Sequence, residues 1–527
     1  MLSSSTSAPT QAASLPPAPP AARRRLLLPR AGLRGRWERF WREGLPAIWA
    51  SAAMLLCMVT MLVTILVLTL VRGLGQFWAQ PLLRLESTSG PFLGTVQSTE
   101  APPAGVAGER VQLRIGNRDL YGLDFRWFEP GDIRARSYPA DGLVIEREEN
   151  GNFHGFLRAL QLGERVLSGE DAWKALPGEV RAARRLHRRL QDLDRLEGQD
   201  AQRLEERERL ARDLASRVAR LEDAGGREKA LPLDQIVRAY RPNAMGAASK
   251  SRLYVARLWE FVSAQPRESN TEGGIMPALF GTVLMVLLMT VAVVPLGVVA
   301  ALYLHEYARS GPLLRAVRLA VGNLAGVPSI VFGMFGLAFF VYGLGGSIDR
   351  LFFSSTLPAP TFGTGGILWA ALTLALLTLP VVVVATEEGL SAVPRATREA
   401  SLALGATRWQ TLWHVVLPQT VPGILTGVIL AISRAAGEVA PLMLTGVVKL
   451  APSLALDGSA PFVHLERKFM HLGFHIYDVS MQSPNVEAAK PMVYSTTLLL
   501  LLLVVALNAS AIMVRTRMRR RYRGAVL

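Results

Sequence analysis

From residue 48 to residue 71 the chain runs for 24 positions without Asp, Glu, Lys, Arg or His. A helix of that length reaches about 36 Å, enough to cross a hydrocarbon core of roughly 30 Å, where each backbone polar group must be satisfied within the helix. The stretch is too long for the apolar part of a secretory signal peptide, and no small-residue cleavage pattern closes it, so a retained span over 47–72 is expected. Uncharged stretches recur at 275–304, 319–347, 367–386 and 491–514, and 421–448 is apolar except for Arg434 and Glu438. Six spans predict an all-α polytopic membrane protein. Half of the 527 residues are hydrophobic but only 7% are aromatic, which fits aliphatic spans better than one large soluble core. The single cysteine, Cys57, lies inside the first apolar run and excludes disulfides and cysteine metal clusters.

An even number of spans puts both termini on one side. Residues 23–43 hold eight Arg against two Glu, and 515–523 hold six Arg and no acid, so the positive-inside rule makes that side the cytoplasm. The net charge of +16 is thereby read as orientation, not as a nucleic-acid surface. Residues 1–22, rich in Ala, Ser and Pro, are expected to be disordered within a cytoplasmic N-terminus over 1–46, and 516–527 form a basic cytoplasmic tail. Residues 82–270 are charged and contain no spanning stretch, so they form an inserted extracytoplasmic α+β domain. Its first half alternates in short runs, such as Val111, Leu113, Ile115 and Leu123, Phe125, Trp127, which predicts strands. In its second half Leu186, Leu190, Leu193 and then Leu210, Leu214, Val218, Leu221 recur at helical spacing. With Gly198 between the two runs, a helical hairpin over about 180–223 is expected.

Within 387–420, between the fourth and fifth spans, stand Glu399-Ala400-Ser401, Gly405 and Val415-Val416-Leu417-Pro418. The physics of the segment is that of two short helices: small residues allow close approach to a partner, Gly405 permits a left-handed turn, and Pro418 is expected to close the second piece. The spacing resembles the EAA loop of ABC importer permeases, with Ser for the second Ala and Val for Ile. The resemblance implies the type I importer permease fold over 273–515. It also implies a coupling helix that docks on an ATPase dimer through Glu399, Ala400, Ser401, Gly405, Val415, Leu417 and Pro418. A homologous second permease subunit and a periplasmic binding protein complete the implied assembly in a bacterial inner membrane. ATP and Mg would be bound by the ATPase, with no cofactor in this chain.

The segment Ser433-Arg434-Ala435-Ala436-Gly437-Glu438-Val439-Ala440-Pro441, with Gly326-Val327-Pro328-Ser329-Ile330-Val331 and Leu404-Gly405-Ala406-Thr407, resembles the PstA-type phosphate permeases. That resemblance implies phosphate import by alternating access, with a phosphate-binding protein as partner. On chemistry alone, ionised groups inside a span cost a few kcal/mol unless paired or wetted. Arg434 and Glu438, at i and i+4, share a helix face and neutralise each other. Two readings stay open for them: an anion path in which Arg434 meets cargo, or a structural pair between spans. A long insertion departs from the short members of the family.

Other signals are weaker. His471 and His475 have metal-pair spacing, but Leu472 stands where a metalloprotease has its Glu, so solvated loop histidines are expected. Lys250-Ser251 lacks both glycines of a phosphate-binding loop, Ala244 and Ser249 standing in their places. No catalytic triad or paired carboxylates emerge, so a transport subunit rather than an enzyme is expected, with no metal site. The rivals are a permease for sulfate or molybdate and a membrane signalling scaffold, the latter having no use for the coupling motif.

Overall fold

The computed structural model describes residues 41–42, 44–101, 108–195, 201–483 and 486–523. The expected disordered start, most of the basic N-terminal flank, Gly198 and the last four residues lie outside them. Six helices are long and apolar enough to cross a membrane: Leu45–Gly75, Met276–Tyr307, Ser329–Phe352, Ile367–Ser391, Arg408–Gly437 and Val486–Arg520. The chain divides into two units, Met1–Leu66 and Val67–Leu527. In the first, Met54, Leu56 and Met61 are exposed, as on a helix whose surroundings are lipid or other helices.

Two spans differ from their expected outlines. The third was expected over 319–347, but Pro312–Leu324 is a separate helix. Pro328 caps a new one at Ser329. The sequence Gly326-Val327-Pro328 explains the break, because the ring of Pro328 disfavours helical backbone at Val327. The fifth was expected over 421–448, but its helix ends at Gly437 and resumes as the short Ala440–Thr445.

The spans pack around Met285, Met289, Leu374, Leu442 and Ala431. Small residues let the backbones meet. A Cβ on Gly423 would lie 2.8 Å from the Cα of Gly389, and one on Gly427 would lie 2.8 Å from the Cβ of Ala385, so the fourth and fifth spans touch almost main chain to main chain. Gly333 and Gly336 admit the Ala440–Thr445 fragment in the same way, at Pro441 and Thr445.

The inserted domain carries two antiparallel sheets. The first has strands β1 (Leu82–Ser87), β2 (Gly90–Glu100), β3 (Arg110–Arg114), β4 (Phe125–Phe128) and β5 (Ile133–Ser137). Their order is β4-β3-β2-β1-β5, with Leu85, Leu113 and Phe128 buried together. The second sheet has β6 (Leu143–Arg147), β7 (Phe153–Leu162), β8 (Arg165–Ser168), β9 (Arg217–Glu222), β10 (Glu228–Pro232) and β11 (Ile236–Tyr240). Its order is β10-β9-β7-β6-β11, with β8 beside β7.

Ala172, Leu176, Val180 and Ala183 form one stripe of the helix Gly169–Arg195 and pack on the second sheet. That helix pairs with Ala201–Ala215 through Arg189–Glu206 at 2.5 Å and Arg207–Asp194 at 2.6 Å. The hairpin stops short of residue 223. Val218 and Leu221, which sit at helical spacing, belong to β9, where Ala219 and Leu221 alternate into the core.

Where this domain meets the spans, Glu146 is buried between Arg257, with Nε at 2.9 Å, and Arg238 at 3.2 Å. Burial alone would raise the Glu146 carboxyl, but Arg257 and Arg238 outweigh it and hold it below its ordinary value. Arg238 also reaches Glu260 at 2.7 Å, Glu260 takes Arg267 at 2.9 Å, and Arg114 pairs with Glu272 at 2.6 Å.

A second junction is built on the helix Leu472–Met481. Asn270 Nδ2 donates to the Lys449 carbonyl at 3.0 Å, and the Lys449 ammonium lies 3.4 Å from buried Asp478. The histidines expected in solvent are buried here instead. His471 caps the helix, its Nδ1 accepting the Gly473 N–H at 3.1 Å, and His475 lies one turn on. Burial lowers His471 to about 3, and it lowers His475 to about 4 despite the neighbouring Asp478 carboxylate.

Two outcomes follow. Gly423→Val should lower the melting midpoint of detergent-solubilised protein by the equivalent of about 1–3 kcal/mol, since the added methyls meet backbone that cannot yield; an unchanged midpoint would mean the two spans do not touch there. Both buried imidazoles are neutral when folded and regain a value near ~6.5 when unfolded, so the unfolded chain binds more protons between about pH 4 and 6.5. Their contribution is complete above that window and is lost as pH falls through it, at about 1.4 kcal/mol per pH unit for each ring. Melting scans from pH 7 down to pH 5 should show the loss, and His475→Gln should flatten the slope; equal slopes in both proteins would place His475 in solvent.

Candidate functional site: the exposed loop and the interrupted fifth span

The fourth span ends at Ser391 and Pro394 starts the helix Arg395–Ala403, none of whose residues is buried. Gly405 then takes φ +86°, the left-handed turn that its lack of a Cβ permits. Thr407 begins the next helix with a reciprocal cap. Its Oγ1 accepts the Gln410 N–H at 3.2 Å, while Gln410 Oε1 accepts the Thr407 N–H at 2.8 Å.

Pro418 does not close this second piece. The helix runs on from Arg408 to Gly437, with a π-helical stretch at Leu412–Val416 immediately before Leu417 and Pro418. The wider turn is where a helix accommodates a proline, whose ring clashes with the carbonyl four residues back and which has no N–H to give it.

Glu399, Ala400 and Gly405 are exposed, Ser401, Val415, Leu417 and Pro418 are half-buried, and Val416 is buried on Leu390, Val393 and Leu412. Ser401 Oγ lies 3.0 Å from Thr411 Oγ1 and joins the two helices, so serine in place of alanine adds a tie. Leu404 is 89% exposed, and Trp409 and Trp413, also exposed, stack at 5.6 Å. Such exposed apolar side chains are suited to a partner.

Sequence reasoning missed what anchors the loop. Arg398 donates to Glu306 Oε1 at 2.5 Å and to the Leu390 carbonyl at 2.6 Å, gripping the ends of the second and fourth spans together. His305 braces Glu306 at 3.0 Å and Ser391 at 3.1 Å. No local pattern pairs residues 92 positions apart; the only hint was an acid closing a long apolar run.

In the fifth span, Arg434 lies in the last turn before the break and Glu438 beyond it, in extended backbone with ψ 131°. The two therefore do not share a continuous helix face. Their ion pair, Nε to Oε1 at 3.4 Å, bridges the end of the helix, and both side chains keep partial exposure. Ser433, next to Arg434, donates to Asn508 of the sixth span at 2.8 Å. Val439 in the break lies against Gly473, the first turn of the helix that His471 caps.

Six apolar helices, with an exposed loop clamped to the ends of two of them and a charged pair at an interruption, describe a multi-span membrane protein. Residues 293–523 match the family described as the inner membrane component of binding-protein-dependent transport systems. The chain is 32% identical over 237 residues to the probable ABC transporter permease protein YqgI of Bacillus subtilis (strain 168), which covers 44% of this chain and 74% of that protein. It is 40% identical over 185 residues to the phosphate transport system permease protein PstA 1 of Mycobacterium tuberculosis (strain ATCC 25618 / H37Rv), covering 35% of this chain and 54% of that one. It is 37% identical over 187 residues to PstA of Yersinia pestis, covering 36% and 57%. The match thus spans about half the length of these PstA relatives. The chain belongs to the family of binding-protein-dependent transport inner membrane components, and its inserted domain lies outside the matched residues.

Arg398→Ala removes the clamp while leaving an exposed helix surface unchanged. Amide exchange across 395–404 should quicken by about tenfold or more, the loss expected for charge-assisted bonds; unaltered exchange in the correctly inserted protein would show that the loop is held by other contacts.

Proposed function

We propose that this chain is the transmembrane permease subunit of an ATP-driven phosphate importer. The observation that carries the proposal is the Arg434–Glu438 pair at the interruption of the fifth span, half-buried and set in a segment resembling the phosphate permeases. A guanidinium meets phosphate oxygens with matched geometry, and the neighbouring carboxylate keeps the site from holding the anion too tightly to release it. The interruption leaves backbone polar groups free to line a path, as membrane helices do where they meet cargo. The phosphate transport role carried in the names of the PstA relatives supports the same cargo.

In this reading the helix Arg395–Ala403 is the coupling helix, with Glu399, Ala400, Ser401, Gly405, Val415, Leu417 and Pro418 shaping it. It faces a cytoplasmic ATPase dimer that binds ATP and Mg. A second permease subunit completes the path, and a phosphate-binding protein delivers cargo on the far side of a bacterial inner membrane. The arginine-rich run at 515–523 supports a reading with both termini cytoplasmic and residues 82–270 outside.

Labelled-phosphate uptake in phosphate-starved cells lacking their own high-affinity system, supplied with this chain and its companion subunits, tests the reading. Arg434→Gln should cut uptake by about tenfold or more at equal membrane levels. The exchanged pair Arg434→Glu with Glu438→Arg should stay inactive. Recovery in the exchanged pair would reduce the two residues to a structural bridge, and uptake of sulfate or molybdate instead of phosphate would replace the cargo.

A further inference from the structure

A cavity of about 470 Å³ lies where the inserted domain meets the end of the first span and the start of the sixth. We propose that it binds a phosphate-bearing anion, either the headgroup of an acidic phospholipid or free inorganic phosphate, at a place separate from the Arg434 break.

The charge balance around the cavity is the first argument. On its walls Arg114, Arg257 and Arg267 share Glu146, Glu260 and Glu272, and Arg238, off the walls, draws on two of the same carboxylates. Arg72, at the end of the first span, adds a fourth guanidinium. It rests over the Tyr494 ring at 5.8 Å and forms no ion pair among the described residues. Lys490 is already matched by Glu487 at 2.6 Å. Four guanidinium groups against three carboxylates leave one positive charge on the walls of one partly enclosed space. Arg72 is exposed, so its charge is open to an anion that enters from solvent.

The donors are also in place. Arg72, Arg114, Arg257 and Arg267 line the walls. Gln80, Gln97 and Thr271 line the same walls with further polar groups. Guanidinium forks suit phosphate oxygens, and the volume lies in the range of sites that hold small molecules. Val71 and Met492 add apolar wall beside Arg72, on residues of the two spans, which is where a lipid would present its headgroup. The walls come from the inserted domain and from two spans together, so an occupant would tie that domain to the membrane helices.

The test is amide exchange of the full-length chain in lipid-stripped detergent, read over 71–80, 257–273 and 488–494. It is run in an Arg434→Gln background so that the transport path does not contribute. Short-chain phosphatidylglycerol and inorganic phosphate are added separately, with phosphatidylcholine and chloride as controls. One of the first two should slow exchange in all three segments by several-fold, and Arg72→Gln, which breaks no ion pair, should remove that protection while Arg72→Lys keeps part of it. Protection by phosphatidylglycerol alone identifies a lipid site, and protection by inorganic phosphate identifies a soluble anion. The proposal is overturned if neither protects, if phosphatidylcholine protects equally, or if protection survives Arg72→Gln undiminished.

Discussion

Inside a bilayer no water is available to a broken helix, and the arrangement of this chain follows from that constraint. In the fifth span the departures from regular helix sit where neighbouring protein packs against them. The wide turn at Leu412–Val416 rests on Leu390 and Val393. The break after Gly437 lies against Gly473, and the fragment beyond it is received by Gly333 and Gly336. Close approach at glycine is therefore the condition for having an interruption at all: bulkier residues would hold the neighbours away and leave main-chain groups without partners.

The number of spans and the first helix of the loop with its glycine turn were legible because they rest on local rules. A long uncharged run and a glycine that must turn left-handed can each be read within a few residues. The third and fifth spans were misdrawn for a related reason: apolar content carries across an interruption, while the interruption depends on what packs over it. Val218 and Leu221 were assigned to a helix because they continue the spacing of Leu210 and Leu214, whereas in β9 they fall on opposite faces of a strand. His471 and His475 were assigned to solvent because nothing in their own segment reports that Thr282 and Asn270, some 190 to 200 positions away, come to meet that helix. Of the loop and the charged pair, the identities were readable and the geometry was not; the continuous helix through Pro418 and the extended Glu438 both required the packed neighbours.

The inserted domain follows a different economy. Its sheets bury apolar cores, and its contact with the spans combines an apolar cluster around Phe261 with arginines from several elements converging on few carboxylates. Glu146 stays charged in a buried place because two guanidinium groups face it. Such a joint is directional: ion pairs lose their value with small displacements, whereas an apolar contact slides. The ion pairs thereby add direction to an apolar contact in which Phe261 packs on Ile275, Ala278 and Met492.

The loop helix is fastened along one side only. Arg398 fixes it to the ends of the second and fourth spans, and Ser401, three residues on, fixes it to the start of the fifth. Its other side, with Leu404 outermost, is unattached. In the proposed coupling role, a push on this helix is shared among three spans at once, as a yoke loads a team.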